Sequence, residues 1–203
     1  MESIAYQKIL TVDRQAFMAK AIEVSESLQI HPSWLMIAIR IESRFNRKAL
    51  NKVSNAVGLI QWIPRYVYTL LGMPNNPKRI VAHIQAMTGI EQLELIKKFL
   101  APYRGKMTDQ YQTYLAIFSP VALGKSSSYV IGQRNDPGHK GKAYEWNKYL
   151  DQKFGNRDGK ITLYDIKKFV DAHTPANISL SINPKKPAAN DVRKICQCCN
   201  RPF

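Results

Sequence analysis

The first 195 residues of this 203-residue chain contain no cysteine, and all three cysteines fall in the closing "CQCCNRPF", at Cys196, Cys198 and Cys199. A disulfide framework for the body of the protein is therefore excluded. The cluster itself lacks a fourth zinc ligand, the nearest histidine being His173, so no metal is assigned to it. Long apolar runs are also missing. "LMIAI" is broken at once by Arg40 and Glu42, far short of the roughly 18 residues that a membrane span needs. The N-terminal "MESIAYQKIL" has neither a basic start with a long apolar run nor a small-residue cleavage site, so no ordinary secretory signal is expected. Acids are scarce: 15 Asp and Glu stand against 30 Lys and Arg, a net charge of +15. Such an excess implies a polyanionic partner, whether nucleic acid, an anionic membrane face or a bacterial wall rich in carboxylates and phosphates, unless it is only a solubilising surface.

What is present suffices for one folded domain with a small appendage, since 45% of residues are hydrophobic. Over residues 13–28, Phe17, Ala21, Val24 and Leu28 recur at helical steps. "HPSWLMIAIRIES" is ambiguous, because Ile37, Ile39 and Ile41 alternate as in a strand while Leu35, Ala38, Ile39 and Glu42 share a helical face. Pro32 suits a first helical turn and no turn pair flanks the run, so a helix is preferred. Residues 46–55 read as a polar loop. A short helix is expected after Pro64, ending near Gly72, and "MPNNPK" is a turn. Further helices are predicted over 88–100 and over "DQYQTYLAIF", stopped by Pro120. "KSSSYVIGQRNDPGHKGKAY" reads as an exposed loop, and the segment after it as a turn and one more helix. Beyond Pro175 the chain is rich in Asn, Pro and Lys, which divides it into a domain over 1–175 and a basic tail over 176–203. "NRDGKITLYD" resembles part of a calcium loop through Asn156, Asp158 and Asp165, but Phe154 stands at the first ligand place and a plain Asp-Gly turn is preferred.

Glu42 is the residue that a plain core does not explain. A carboxyl among apolar neighbours is costly to ionise, so its pKa rises and it can donate a proton near neutral pH. Sugar cleavage needs such a donor, because the glycosidic oxygen leaves poorly until protonated. A lysozyme glutamate is the handed-down example of this environment, and the pattern is borrowed from it. The competing reading makes Glu42 a solvated acid paired with Arg40, Arg44 or Arg47.

Glu42-Ser43, Phe45, then "SNAVGLIQWIP" with Ser54, Ala56, Gly58, Leu59, Gln61 and Pro64, and later Leu71-Gly72, resemble the soluble lytic transglycosylase and goose-type lysozyme superfamily. Its recurring pattern is E-S at a helix end followed by S-x-A-x-G-L-x-Q-x-x-P. The likeness is close over 30–72 and loose over 88–125. It implies a mainly α, lysozyme-like (SLT-type) helical domain with a groove, plus a short C-terminal extension. Carried over by position, Glu42 matches the family's catalytic acid/base, Gly58 and Gln61 its groove-lining turn, and Ser43 and Ser54 supporting polar residues. A glycine lets backbone approach a saccharide, and an amide offers both donor and acceptor to N-acetyl groups; the other reading of Gln61 is an amide that braces its own loop. The family's A-Y-N-x-G motif is absent. "YLAIFSPVALGK" places Ile117 and Phe118 there, a form similar to phage-encoded wall-lytic members. Tyr114 and Phe118 either stack on sugar faces or belong to the core.

The resemblance implies cleavage of the MurNAc-GlcNAc strand of peptidoglycan without a cofactor, by one Glu acting as acid and then base. No second carboxylate has a clear claim, with Asp109 and Glu91 the remaining candidates, which leans toward a lytic transglycosylase over a hydrolytic muramidase. Expected partners are glycan strands and anionic wall polymers, and virion proteins if the chain is carried on a phage particle. The expected location is host cytoplasm before holin release, or the virion, with action in the wall. Rival readings are a non-catalytic virion or wall-binding protein of the same fold, and a nucleic-acid binder, although no recognition motif supports the latter. If the basic charge holds the protein on the wall, retention on peptidoglycan sacculi falls steeply across a pull-down series of rising salt. Retention that persists into molar salt refutes an electrostatic attachment.

Overall fold

Residues 34–39 are apolar without a break, and a helix that is apolar all round has to lie inside its protein. The computed structural model describes residues 4–7, 13–176, 178 and 180, and places this segment at the centre. In chain order the elements are α1 (Arg14–Leu28), α2 (Pro32–Ser43), α3 (Pro64–Val67), α4 (Pro77–Ala86), α5 (Gly89–Leu100), α6 (Gln110–Phe118), β1 (Val130–Gln133), α7 (His139–Asn147), α8 (Tyr149–Phe154), β2 (Lys160–Thr162) and α9 (Leu163–Asp171). The expected mainly helical class holds: the described residues form nine α-helices and one two-stranded sheet. None of these helices is long and apolar enough to cross a membrane.

Helix α2 is helical because Pro32 opens it and the His31 ring caps it, Nδ1 accepting the Ser33 amide at 3.1 Å. Its residues Trp34, Leu35, Met36, Ile37, Ala38 and Ile39 are all buried. Helices α1 and α6 pack directly against it; α1 in turn packs along α5, and α6 against α9. Four of the surrounding helices start on side-chain caps. Asn76 caps α4, Thr88 and Glu91 form a capping box on α5, Asp109 caps α6, and Thr162 and Asp165 form a second box on α9.

Three expectations change. The helix after Pro64 stops at Val67, not near Gly72. Hydrogen bonds from Gly72 to Thr69 and from Met73 to Tyr68 close turns there, and Gly72 takes φ +63°. Helix α4 begins inside the expected "MPNNPK" turn, at Pro77, its core contact resting on the i, i+4 pair Ile80 and Ile84. The stretch expected as an exposed loop holds β1, which pairs antiparallel with β2 through a bulge between Val130 and Gly132, and also the start of α7 with its buried Tyr144. The tail with Cys196, Cys198 and Cys199 lies outside the described residues. Ile178 and Leu180 are partly buried against the core.

The loop after α2 is fastened from inside by Gln92 on α5, which is fully buried. Its Oε1 accepts the Leu59 amide at 2.9 Å, and its Nε2 donates to the carbonyls of Arg47 at 2.8 Å and Ile84 at 2.9 Å. One amide thereby joins the loop, α4 and α5. Gln92→Leu keeps the volume but strands three backbone groups, so it should destabilise the fold by about 3 kcal/mol or more, read by chemical denaturation. A loss under about 1 kcal/mol would mean the loop is held by other contacts.

Candidate active site

Glu42 occupies the last turn of α2, where the buried helix comes out toward the surface, and it is half-buried. Two successive residues in left-handed geometry, Arg44 at φ 54° and Phe45 at φ 66°, stop the helix beside it. Both are non-glycine residues, and such backbone clusters where a site must be held in place. Burial pushes the Glu42 carboxyl up to about 7, against the smaller downward pull of a hydrogen bond from the Tyr114 hydroxyl. No basic side chain is ion-paired with Glu42 among the described residues. Arg40 lies over the Tyr6 ring at 5.7 Å, and Arg47 Nη1 donates to the carbonyls of Gln85 and Met87 at the end of α4.

Around the acid stands an aromatic wall. The Tyr114 ring, on α6, is 2% exposed and stacks on Phe118 at 5.6 Å and 14°, with Phe169 of α9 at 5.9 Å. Its ring faces are therefore covered by protein, and what it offers the site is its hydroxyl; its own pKa is held well above the ordinary tyrosine range by burial and then by the Glu42 charge. Phe118 is half-buried. Tyr149, at the start of α8, is 43% exposed and meets the Phe169 ring edge-on at 5.7 Å. Burial, then the nearby Glu42 charge, pushes its hydroxyl up to about 12. Sequence reasoning missed Tyr149, because nothing local marks it: only the packing of α8 on α9, and α9 on α6, brings it to the acid.

The remaining expected residues shape the loop. Ser43 is buried and its Oγ donates to the Ile39 carbonyl at 3.2 Å, inside its own helix. Ser54 Oγ accepts the Ala56 amide at 3.2 Å. Val57 forms isolated β-bridges with Leu50 and Trp62, which bring Gly58 and Gln61 into one tight turn, the Gln61 amide donating to the Gly58 carbonyl at 3.2 Å. Gly58 takes φ +82°, and a Cβ there would lie 2.8 Å from Gln92 Oε1 and Ile84 and 2.9 Å from Trp62. The glycine is thus required on its inner side, by packing over Gln92. Gln61 sits at φ 52° and its Nε2 donates to the Gly58 carbonyl at 3.0 Å, so the amide braces the turn. Asp109 and Glu91 are both spent on helix caps, with the Gln112 amide at 2.7 Å from Asp109 and the Thr88 amide at 2.6 Å from Glu91.

The loop that resembles a calcium site turns its polar groups on itself. Asn156 Oδ1 accepts the Asp158 amide, Asp158 Oδ1 the Lys160 amide, and Asp165 Oδ2 the Thr162 amide. Asp151, fully buried, accepts from Tyr144 Oη and the Gly159 amide. Among the described residues no three His, Cys, Asp or Glu side chains gather as a metal site.

A half-buried acid at a helix end, with one hydroxyl upon it, a braced Gly-Leu-Ile-Gln turn after it and the two other sequence-suggested acids spent on caps, invites comparison with known families. Residues 20–91 match the model of the transglycosylase SLT domain. A search of curated proteins and of solved structures found no match. The SLT match supports, at the level of the family, cleavage of peptidoglycan glycosidic bonds of the lytic transglycosylase type. It takes in Glu42, Ser43, Ser54, Gly58 and Gln61 and ends one residue before Gln92, leaving Tyr114, Phe118 and Tyr149 beyond it.

The elevated acid has a cost in stability. With a folded value of about 7 against an ordinary 4.5, the folded state holds the Glu42 proton more tightly than the unfolded chain, so stability is lost as pH rises from 4.5 to 7 and stays lost above. Glu42→Gln removes that loss. The variant should be more stable than the parent at pH 8, by up to about 3 kcal/mol, with the difference vanishing near pH 4.5, as measured by melting at both values. Equal melting curves at pH 8 would show that the carboxyl ionises without penalty.

Proposed function

We propose that this chain cleaves the MurNAc-GlcNAc strand of bacterial peptidoglycan with Glu42 as the single acid/base. The observation that carries the reading is the elevated Glu42 carboxyl inside an SLT match, with the only other sequence-suggested acids engaged in capping. At neutral pH a group with a pKa of about 7 is still substantially protonated and can protonate the glycosidic oxygen as the bond breaks. The carboxylate left behind stabilises the oxocarbenium-like centre and then accepts the proton of the attacking hydroxyl. With the two other sequence-suggested acids, Asp109 and Glu91, held in helix caps, the muramyl C6 hydroxyl is the nucleophile in this reading, and a 1,6-anhydro end is the product. Tyr114 holds the carboxyl in place through its hydroxyl, and Tyr149 stands near enough to feel the acid's charge.

The setting belongs to the same proposal. The phage-like form of "YLAIFSPVALGK" and the basic charge support a lysin released to the wall by a holin or carried on the virion, attached to anionic wall polymers and to virion proteins in the latter case.

Mass spectrometry of soluble products from purified sacculi is the test. Anhydro ends are expected. Reducing ends would mean a hydrolytic muramidase, and binding without products a non-catalytic wall protein. Glu42→Gln, checked for folding by circular dichroism, should keep binding while turnover falls by about a hundred-fold or more. Glu42→Asp should fail as well, since withdrawing the carboxyl by one methylene misplaces a group that must be right to about an ångström. Wild-type turnover in folded Glu42→Gln would remove Glu42 from the mechanism.

A further inference from the structure

Helices α7 and α8 run on as nearly one helix, because Lys148 between them keeps right-handed helical geometry at φ −54° and ψ −24°. Tyr144 and Leu150 turn one side of this helix into the core. Lys142, Trp146, Tyr149 and Lys153 follow one another on the other side at steps of four, three and four, and all are exposed. A stripe at that spacing faces one way. Trp146 is 61% exposed, while the chain's other two tryptophans, Trp34 and Trp62, are each 3% exposed. Trp146 and Tyr149, both exposed and one helical turn apart, form an aromatic patch beside Glu42, and it is such a patch, not a single exposed ring, that marks a binding surface.

We infer that Trp146 is a stacking platform for a sugar ring of the glycan strand away from the scissile bond, with Lys142 and Lys153 flanking it to receive the strand's carboxylates. The inference rests on the proposed function and extends it. The strand runs from the acid across Tyr149 to Trp146. An indole presents a flat apolar face that matches the apolar face of a pyranose, and its rigid ring loses little freedom on binding. Basic residues at both ends of the stripe suit a polysaccharide flanked by carboxylates, carried on its stem peptides or, once these are removed, on the muramyl lactyl groups, and not a neutral glycan. The platform therefore sets a preference for long, anionic strands.

Because both other tryptophans are buried, emission changes on binding report chiefly on Trp146. The folded Glu42→Gln protein, which binds without cleaving, is titrated with soluble glycan strands freed of their peptides. A saturable shift in tryptophan emission is expected, absent when Trp146→Phe is added. In the otherwise native chain, Trp146→Ala should raise KM for long strands on the order of five- to tenfold, the loss falling on KM and not on kcat, with Trp146→Tyr restoring most of it. An unmoved emission with strands bound, or a wild-type KM for Trp146→Ala on long strands, overturns the inference while leaving cleavage by Glu42 standing. If the native chain neither binds nor cleaves sacculi, the functional reading fails and the platform with it, an outcome separable from the first by the product assay.

Discussion

Everything at the site follows from burying α2 on all sides. A helix wrapped by α1 and α6 leaves its final turn in an environment poor in water, and a carboxyl placed there cannot ionise cheaply. The same burial that supplies the core with Trp34, Leu35, Met36, Ile37 and Ile39 therefore sets the proton affinity of Glu42. Under the proposed function, stability and reactivity are opposed at this one residue. The fold carries an acid that weakens it at neutral pH, and a core of this extent offsets the loss.

A raised pKa is of use only if the groups around the acid stay put, and the loop that follows has little regular structure of its own. Its conformation is fixed by a few buried polar contacts. Gln92 reaches in from α5 to the Leu59 amide and the Arg47 carbonyl, Gly58 leaves room for that amide, and Gln61 folds back on Gly58. Left-handed residues at Arg44, Phe45, Asn55 and Gln61 show how far the backbone departs from ordinary geometry over this short span. A fully satisfied buried amide tolerates that departure because leaving its partners unpaired would cost more than the strain.

Much of this was legible in the sequence, for different reasons in different places. Helix α1 and helix α5 announced themselves by one apolar face. The strand-or-helix ambiguity at "LMIAIRI" was itself informative: when every side of a helix is buried, any periodicity can be found in it. Glu42 stood out because it interrupts that segment. Helix α4 was hidden by the turn signal that also caps it, and β1 by the glycine, serine and charge around it, since its partner strand lies far along the chain. Gln92 and Tyr149 could not be read at all. A buried glutamine and an exposed one look alike in a sequence, and a tyrosine acquires its place beside an acid only when three helices have packed.

The last constraint concerns charge. A chain with a net charge of +15 has arginines at positions 40, 44 and 47, all close in sequence to Glu42, and any one of them paired with it would hold the carboxylate ionised and end its use as an acid. The structure keeps them otherwise occupied or turned outward. Arg40 rests on Tyr6, Arg47 closes the end of α4, and Arg44 is exposed at the helix stop. What touches the carboxyl is a neutral hydroxyl, Tyr114, whose own proton burial makes hard to lose. The chain thus keeps a net positive charge that would attract a polyanion, while the carboxyl proposed to carry the proton is partnered by a neutral group. Under the proposed function, attraction of a polyanionic strand and protonation of the acid make opposite demands on local charge, and giving Arg40 and Arg47 other partners meets both.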